Sequence, residues 1–431
     1  MKKNNFTKIL SVILIAFMSL YIIKTCIVSS KNIDFKIEDL SGNKKVLENV
    51  QVNALGVNSK YSAKEIVIDK DGLKDLGKVP FDETLRLKPN ILENKNLFRG
   101  MVYADFYEND KVKIAIEEKA ERNNEMWTSL LHVAYENKDN NKIKKFKVNL
   151  DELTLKVNKN IFNSNYHIQQ IYNDEKNTYV LLKLESYTES EKNKKQLLLT
   201  TLDLEKETIE LKKEINLAED NYSNNVFSTP LVENNKMYFP ITTLANSLNQ
   251  YKFNNEDKNE INSEISIGSI DLNNYEVKYY NKTLDEELLK EIKKYLSKDM
   301  ENKENENGQE DLYSNSSRSN IGQLYSFQNG NLFILTTINN NLILQKFDMV
   351  KGEYAKAINL SINNDKEEDL NINDFLVYNN KFYFIANGDE HYYLGVIDLN
   401  NNKELYLGKL LSNMSDYYTI KLSEKNLKTI N

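Results

Sequence analysis

The stretch that most constrains the fold is residues 374–411, which read DFLVYNNKFYFIANGDEHYYLGVIDLNNNKELYLGKLL. It contains four short segments that alternate or run apolar, as β-strands do. The polar pieces between them, NN, NGDEH and DLNNNK, have the composition of hairpin turns. The predicted strands are residues 375–378, 381–386, 392–397 and 404–409. The stretch therefore predicts one antiparallel sheet of four strands.

Similar four-strand units recur upstream, and an aspartate ends the third predicted strand of each unit. These are Asp203, Asp271, Asp348 and Asp398, which are 68, 77 and 50 residues apart. Once the longer insertions at 244–264 and 282–320 are discounted, a period of about 50 residues remains, which is typical of propeller blades. Residues 98–411 thus resemble the β-propeller superfamily in architecture. The resemblance implies an all-β propeller of four-stranded antiparallel blades, with six units predicted and five to seven left open.

The repeated aspartates have a structural explanation. Asp at the start of a turn accepts hydrogen bonds from the backbone two residues on and so closes a hairpin. Metal binding is disfavoured, because each aspartate lies in a separate unit without a second carboxylate at loop spacing. The second strands, at 179–182, 237–241, 332–335 and 382–385, are apolar on both faces. Such strands need cover on both sides, which blades packed against one another provide.

An apolar run, ILSVILIAFMSLYII at residues 9–23, follows three lysines, and TCIV extends it past Lys24 to Val28. It can span a membrane as a helix of about 20 residues if Lys24 snorkels to the interface. The positive charge before it keeps that end in the cytoplasm. We therefore expect residues 1–31 to be a cytoplasmic stub and a transmembrane signal anchor through residues 9–28. The rest of the chain is then extracytoplasmic, on a single-pass protein of the cell membrane.

Two other interpretations of this leader stay open. The run also has the length of a cleaved signal peptide. Cys26, the one cysteine of the chain, invites acylation as in bacterial lipoproteins, although Lys24 and Thr25 stand where a lipobox has small residues. No disulfide can form within the chain, so its stability comes from packing. The abundance of Lys, Asn and Ile suggests an AT-rich bacterial genome.

The remaining segments complete the predicted organisation, in which residues 32–423 form the propeller. Residues 32–84 contain looser strand-like pieces, interpreted as a degenerate blade or a small β-subdomain. Residues 284–319 are an insertion, with an amphipathic helix at 284–296 followed by a charged, polar segment. A strand at 416–422, DYYTIKL, is predicted to complete the blade begun at the other terminus, and 424–431 form a tail.

The search for chemistry predicts no catalytic, cofactor-binding or metal-binding residues, and no cofactor. His132, His167 and His391 are far apart in sequence without cysteine companions, which gives a zinc site little support. No nucleotide-binding or nucleophile-elbow motif is present. The net charge of −7 becomes −11 when the four leader lysines are set aside, so nucleic acid is not an expected partner.

Aromatic clusters are the remaining candidates for binding, although most are expected to pack between blades. They are Tyr103 with Phe106 and Tyr107, Tyr392 with Tyr393, and Tyr417 with Tyr418. The leading hypothesis is a membrane-anchored, extracytoplasmic, non-catalytic binding or scaffold protein that presents its loops to a protein or a cell-wall glycan. The alternatives are a glycan hydrolase or lyase on a propeller scaffold, whose carboxylates come from different blades, and a sensory or accessory subunit of a membrane signalling complex.

Overall fold

The structure is a computed structural model. The residues that it describes are 35–59, 62–80, 94–101, 103–123, 126–153, 161–174, 176–188, 193–217, 231–242, 264–283, 286, 289–290, 321–338, 341–360, 362, 370–388, 391–412 and 416–424. Six antiparallel sheets account for most of them, and each is built on a meander of four strands. The predicted fold class is confirmed for this part of the chain, which is all-β, of the β-propeller type, and contains six sheets built on four antiparallel strands. The predicted transmembrane helix lies outside the described residues.

The first three sheets in chain order consist of four strands each, which are named in the order in which they pair. Sheet 1 contains β26 (Asp416–Glu424), β2 (Val50–Ser59), β3 (Ser62–Asp69) and β4 (Gly72–Pro80). Sheet 2 contains β5 (Asp105–Glu108), β6 (Val112–Asn123), β7 (Met126–Asn137) and β8 (Lys142–Asn149). Sheet 3 contains β9 (Ile161–Asn173), β10 (Thr178–Thr188), β11 (Asn193–Asp203) and β12 (Thr208–Asn216).

The other three sheets follow the same plan, and two of them carry a fifth strand. Sheet 4 contains β13 (Val232–Glu233), β14 (Lys236–Thr242), β15 (Glu264–Asp271) and β16 (Val277–Thr283). Sheet 5 contains β17 (Ile321–Gln328), β18 (Asn331–Ile338) and β19 (Asn341–Asp348), which pairs with both β20 (Glu353–Tyr354) and β21 (Ile358–Leu360). Sheet 6 contains β22 (Asn371–Tyr378), β23 (Lys381–Asn387), β24 (Tyr392–Asp398), β25 (Lys403–Ser412) and β1 (Phe35–Gly42). A 3₁₀ helix (Lys44–Leu47) precedes β2, and a short α1 (Lys95–Phe98) precedes β5.

The chain divides into two compact units. Unit 1 is Met1–Pro89 with Asn364–Leu427 and holds sheets 1 and 6, and unit 2 is Asn90–Asn363 with Lys428–Asn431 and holds sheets 2 to 5. In unit 2 one apolar cluster joins sheets 2 and 3, a second joins 3 and 4, and a third joins 4 and 5. In unit 1 one cluster joins sheets 1 and 6. The second strands β10 and β14 are therefore covered on both faces by neighbouring sheets of unit 2, as blade packing requires.

Each sheet has two different ends. At the turn end the third strand is joined to the fourth, and in sheets 2 to 6 the first is joined to the second. At the loop end the second strand is joined to the third, and the chain leaves for the next sheet. The connections at the loop end include residues 217–231, 243–263 and 284–320, so this end carries the long segments.

The turn ends are built by one repeated hydrogen bond. The third strand of all six sheets ends in Asp or Asn, whose Oδ1 accepts the backbone N–H of the residue two positions on at 2.9 to 3.1 Å. These residues are Asp69, Asn137, Asp203, Asp271, Asp348 and Asp398. The structural role predicted for the last four is confirmed, and the structure adds the first two. In sheets 4 and 6 the first and second strands are joined by left-handed Asn pairs, Asn234-Asn235 and Asn379-Asn380, which favour tight hairpins.

A second set of hydrogen bonds connects the turn ends of neighbouring sheets in unit 2. In each case a side chain donates to the carbonyl of the residue that follows the turn aspartate of the next sheet. The donors and acceptors are Lys144 Nζ to Leu204 O (3.3 Å), Tyr179 OH to Leu272 O (3.2 Å) and Tyr238 OH to Met349 O (2.8 Å). Because these bonds align the turn ends of sheets 2 to 5, the loop ends of these four sheets lie on one side of unit 2.

We expect Tyr238→Phe to lower the free energy of unfolding by about 1 to 2 kcal/mol, because it leaves the buried carbonyl of Met349 without its donor. Tyr238 is only 1% exposed, and its ring packs against Tyr280 and Phe347, so the ring contacts are retained in the variant. Urea unfolding measures the change. Tyr279→Phe is the matched control, since Tyr279 is 51% exposed and should change stability by less than about 0.5 kcal/mol. Equal effects of the two substitutions would contradict the role of this bond.

The two ends of the chain are exchanged between the two sheets of unit 1. The C-terminal strand β26 pairs with β2 and becomes the first strand of sheet 1, as predicted for residues 416–422. The strand β1 pairs with β25 and becomes the outer strand of sheet 6. Within the segment 32–84, β2 to β4 thus form a four-stranded sheet only with β26, while β1 belongs to the other sheet of unit 1.

Asp374 lies at the junction of the first strands of sheets 6 and 1. Its Oδ2 accepts the backbone N–H of Leu422 on β26 at 2.8 Å, and its Oδ1 accepts the N–H of Phe375 at 3.0 Å. Burial raises the pKa of this carboxyl to about 6, against the lowering effects of the Leu422 N–H, Lys421 and the Phe375 N–H. Ionisation of the carboxyl at pH 7 therefore destabilises the folded state.

The sign of the pH dependence follows from that raised pKa. Below the unfolded-state pKa of about 4 both states are protonated. As the pH rises from about 4 to about 6, the Asp374 carboxyl ionises first in the unfolded state. The free energy of unfolding therefore falls across this window, and the stability that the protonated carboxyl contributed is lost. Because the residue is half-buried, we expect a loss of about 1 to 2 kcal/mol. Asp374→Asn should abolish this part of the slope, measured by urea unfolding at pH 4 and pH 7.5. Parallel pH profiles of the unfolding free energy for the two proteins would show that folding does not raise the pKa of Asp374.

Several predictions fall partly or wholly outside the described residues. These are the leader at 1–31, most of the helix predicted at 284–296, the polar segment after it, and the tail at 425–431. The first strand of sheet 2 begins at Asp105, and before it the Tyr103 N–H donates to Glu117 at 2.9 Å. Over the part of the chain that the structure describes, no helix is long and apolar enough to cross a membrane.

Candidate functional site

The strands of unit 2 change character from the turn end to the loop end. The second strand β10 begins with buried Tyr179, Val180, Leu181 and Leu182 and continues with Lys183 and Glu185. The second strands β6 and β18 change in the same way, from apolar to charged or hydroxyl side chains. The polar residues concerned are Glu117, Glu118, Glu121, Lys183, Glu185, Thr336 and Thr337. Apolar packing therefore stabilises the turn end, and hydrogen-bonding groups gather towards the loop end.

The sheet-2 cluster consists of Glu117, Glu121, His132 and Lys147. Strand register places Glu117 opposite His132, and His132 opposite Lys147, on adjacent strands. Because side chains directly opposite one another project from the same face of a sheet, the three lie in a row. Glu121 Oε1 lies 2.8 Å from His132 Nε2 and accepts Lys147 Nζ at 2.7 Å. Glu121 thus bridges the two basic members of the row, and Glu117 stands at its other end.

Charge and burial differ sharply across this cluster. Glu117 is only 3% exposed, whereas the side chains of Glu121 and Lys147 are 37% and 52% exposed. The hydrogen bond from Lys147 lowers the pKa of Glu121, with further lowering by the charges of Lys147 and His132. Tyr103, whose backbone donates to Glu117, is itself 71% exposed. The site therefore combines a fixed buried carboxylate, an accessible ion pair and a nearby exposed aromatic residue.

Glu118 projects from the opposite face of β6, because successive side chains in a strand alternate. It is half-buried, and its carboxylate accepts the backbone N–H of Tyr166 at 3.2 Å. Burial raises its pKa to about 7, only partly offset by that hydrogen bond. A carboxyl that is part-protonated at neutral pH is a general-acid candidate, but Glu118 faces sheet 3 and not the sheet-2 cluster.

Two carboxylates of β6 lie on either side of His132. Glu117 and Glu121 share a face of the strand, four residues apart. Glu117 lies opposite His132 on the neighbouring strand, and Glu121 Oε1 lies 2.8 Å from His132 Nε2. Both carboxylates can therefore accept hydrogen bonds from a ligand bound beside His132.

The sheet-3 cluster consists of Lys183, Glu185 and Lys195. Lys183 Nζ lies 2.8 Å from Glu185 Oε1, and the register of β10 and β11 places Lys195 opposite Glu185. The two lysines are 6% and 4% exposed. The hydrogen bond from Lys183 lowers the pKa of Glu185, while burial and the charge of Lys183 lower that of Lys195. These charged groups are largely buried, so a large partner cannot contact them directly.

The histidines and aspartates singled out in the sequence do not form a common site. His132 lies in β7 and His167 in β9, on different sheets, and His391 immediately precedes β24. The four repeated aspartates close four separate turns. Among the described residues no group of three or more His, Cys, Asp or Glu side chains is placed to hold a metal ion.

Most of the predicted aromatic clusters pack inside the fold, as expected. Phe106 packs against Phe98 at a centroid distance of 5.4 Å, and the Tyr107 hydroxyl donates to Asn173 O at 3.0 Å. Tyr393 is 2% exposed, and Tyr392 packs against the cluster between sheets 1 and 6. The side chains of Tyr417 and Tyr418 lie outside the described part. Of the aromatic residues named, Tyr103 is thus the one shown to be exposed.

Comparisons with known proteins show no family for this chain. No family model matches the sequence, and no curated protein matches it. Among solved structures, the Dos1 propeller is 12% identical, with a TM-score of 0.31, covering 83% of this chain and 68% of that one. The β-propeller domain of the Trilobed protease from Pyrococcus furiosus is 11% identical, with a TM-score of 0.28, covering 68% and 81%. A mutant of Trypanosoma rangeli sialidase displaying trans-sialidase activity is 8% identical, with a TM-score of 0.30, covering 71% and 53%.

Proposed function

We propose that the chain is a membrane-anchored, extracytoplasmic binding or scaffold protein without catalytic activity, which binds its partner at the loop end of unit 2. The observation that carries the proposal is the gradient from an apolar turn end to a polar loop end. Loops held by a rigid scaffold are where binding residues concentrate. The tight aspartate turns and the bonds between sheets make the turn end the rigid part, and the long connections leave from the other end.

A cell-wall glycan is the partner that the sheet-2 cluster favours. Carboxylate, imidazole and ammonium groups in a row can accept from and donate to sugar hydroxyls, and an exposed tyrosine nearby can pack on a sugar ring. The accessible members, Glu121 and Lys147, are already held in place by their ion pair. A protein partner at the same end is the alternative, and it is distinguished by the test.

Binding is tested with the full-length protein and purified peptidoglycan fragments in titration calorimetry. Lys147→Ala is expected to weaken binding about tenfold, the effect of losing one charge-assisted hydrogen bond. Lys206→Ala is the matched control, because it also removes an exposed lysine of an ion pair, 3.3 Å from Asp203, but at a turn end. Equal binding by both variants and the parent would overturn the assignment to the loop end. Release of reducing ends from the glycan would replace the binding role by the hydrolase alternative.

The anchor is tested separately by cell fractionation. The full chain should remain with membranes after carbonate extraction, and a chain without residues 1–31 should be released. Protease added to intact cells with the wall removed should cut the full chain, since the expected topology is extracytoplasmic. Protection from protease would contradict that topology. Loss of anchoring in Cys26→Ser would favour the lipoprotein alternative over a membrane span.

A further inference from the structure

Two leucines stand out on the surface of unit 1. Leu40 is 42% exposed and Leu76 is 58% exposed, and in the described part of unit 1 no other large apolar side chain is as exposed. Leu40 lies in β1, the outer strand of sheet 6, and Leu76 lies in β4, the outer strand of sheet 1. The two outer strands contact each other. The pair therefore sits on one rim of unit 1.

Both leucines occupy the extra position of a β-bulge. The register of β1 with β25 shifts between Asp39 and Ser41, which leaves Leu40 unpaired. The register of β4 with β3 runs from Asp75 directly to Gly77, which leaves Leu76 unpaired. A bulge re-aims a side chain and twists a strand, which makes an edge a poor template for another strand. The bulges thus expose leucine while opposing β-strand addition by a partner.

The chain before β1 connects this rim to the apolar leader. The apolar run ends at Val28 and β1 begins at Phe35, so six residues, 29–34, separate them. Six extended residues reach at most about 20 to 22 Å. If the leader is in the bilayer, the start of β1 is held within that distance of the membrane surface. β1 is then the described strand of unit 1 that is tied most directly to the lipid, and Leu40 lies on it, five residues from its start.

The charge distribution of the chain agrees with this orientation. Residues 32–80 contain 8 lysines and 8 acidic residues, whereas residues 81–431 contain 44 basic and 56 acidic residues. Anionic lipids attract basic segments and repel acidic ones. Residues 32–80 carry no net charge and are therefore the part of the exported chain that an anionic surface repels least.

We propose that Leu40 and Leu76 form a lipid-contacting rim, which inserts into the interfacial region of the same bilayer that holds the leader and sets the orientation of unit 1. This inference rests on the proposed membrane anchor. Exposed apolar side chains that enter the interface are a usual means of peripheral membrane contact. A linker of six residues alone would allow unit 1 to take many orientations. Contact of the rim with the membrane restricts them.

The test uses the full chain in vesicles of phosphatidylcholine and phosphatidylglycerol, with Cys26→Ser as the background. Single nitroxide labels are placed through Leu40→Cys, Leu76→Cys and, as the control, Val350→Cys, which lies in unit 2 and is 66% exposed. For each label, the measured quantity is the ratio of its collision rate with oxygen to its collision rate with a water-soluble nickel chelate. This ratio should be at least fivefold higher at positions 40 and 76 than at position 350. Circular dichroism checks that each variant retains its sheet content.

A further label in the leader, through Leu14→Cys, separates the two proposals. If that label is in lipid while those at positions 40 and 76 are aqueous, the rim is overturned and the anchor stands. If the label at position 14 is also aqueous, the anchor itself fails. Spin–spin broadening between labels at position 40 on different molecules would show that a second copy covers the rim, which also overturns lipid contact.

Discussion

Deletion of residues 416–431 is expected to abolish the cooperative unfolding of sheet 1. These residues include β26, which supplies the first strand of that sheet from the opposite end of the chain. Its removal leaves unpaired the edge of β2 that faces β26, and it uncovers Val50 and Val52, which are 0% and 1% exposed. The expected loss is several kcal/mol, comparable with the whole stability of a domain at about 5 to 15 kcal/mol. Amide hydrogen exchange should show that β2 and β3 lose their protection.

The control for this deletion removes only residues 425–431, which follow β26. That chain should retain the protection of β2 and β3, because every pairing of β26 with β2 lies within Val50–Val57 and residues 416–424. A peptide of residues 414–431 added to the deleted chain should restore protection, since the unpaired edge is a template for that strand. Unchanged exchange in the deleted chain would show that β2 to β4 are stable as three strands and that β26 is dispensable.

The sequence predicted those parts of the fold that local chemistry determines. The hairpins of 374–411 were visible because Asn pairs and Asp-led turns act within four residues. The strands found there, β22 to β25, match the predicted segments to within four residues at their ends. The turn at Asn137 was missed because Asn replaces the repeated Asp, and that at Asp69 because the strands before it alternate only loosely.

Long-range pairing was only partly accessible to sequence reasoning. The role of β26 follows from a general need to protect sheet edges, whereas the partner of β1 does not follow from its own residues. Phe35 pairs with Ser412, and Gly42 with Tyr406, across almost the whole chain. A strand with mixed polarity is compatible with several neighbours, so its position depends on the edge that the other strands leave open.

The candidate site could not be predicted from the sequence, for a different reason. Glu117, Lys183 and Lys195 read in sequence as ordinary charged strand positions, and their burial depends on the sheets that cover them. The available signal was the change along each second strand, as in IAIEEKAE and YVLLKLES. A strand that begins apolar and ends charged places its two halves in different surroundings, which marks the end where hydrogen-bonding groups collect.

Gly42→Ala is expected to destabilise the attachment of β1 by about 3 kcal/mol or more. Gly42 has a φ of +73° at the point where β1 ends, opposite Tyr406. A Cβ at this position would overlap the carbonyl oxygen of Leu405, which is backbone and cannot rotate away. The end of β1 would have to leave β25, which also breaks the hydrogen bond from the Tyr406 hydroxyl to Asp39 at 2.7 Å. Hydrogen exchange of the β1 and β25 amides measures the loss.

Gly100→Ala separates this overlap from the conformational cost of a positive φ. Gly100 has a φ of +90°, and a Cβ there would meet no atom within 4 Å. Its substitution should therefore cost only about 1 kcal/mol, the penalty of a left-handed backbone for a residue with a side chain. The difference between the two variants isolates the close approach of β1 to β25. If both substitutions cost the same, the contact at Leu405 would not be what requires glycine, and β1 would be held by its remaining pairs alone.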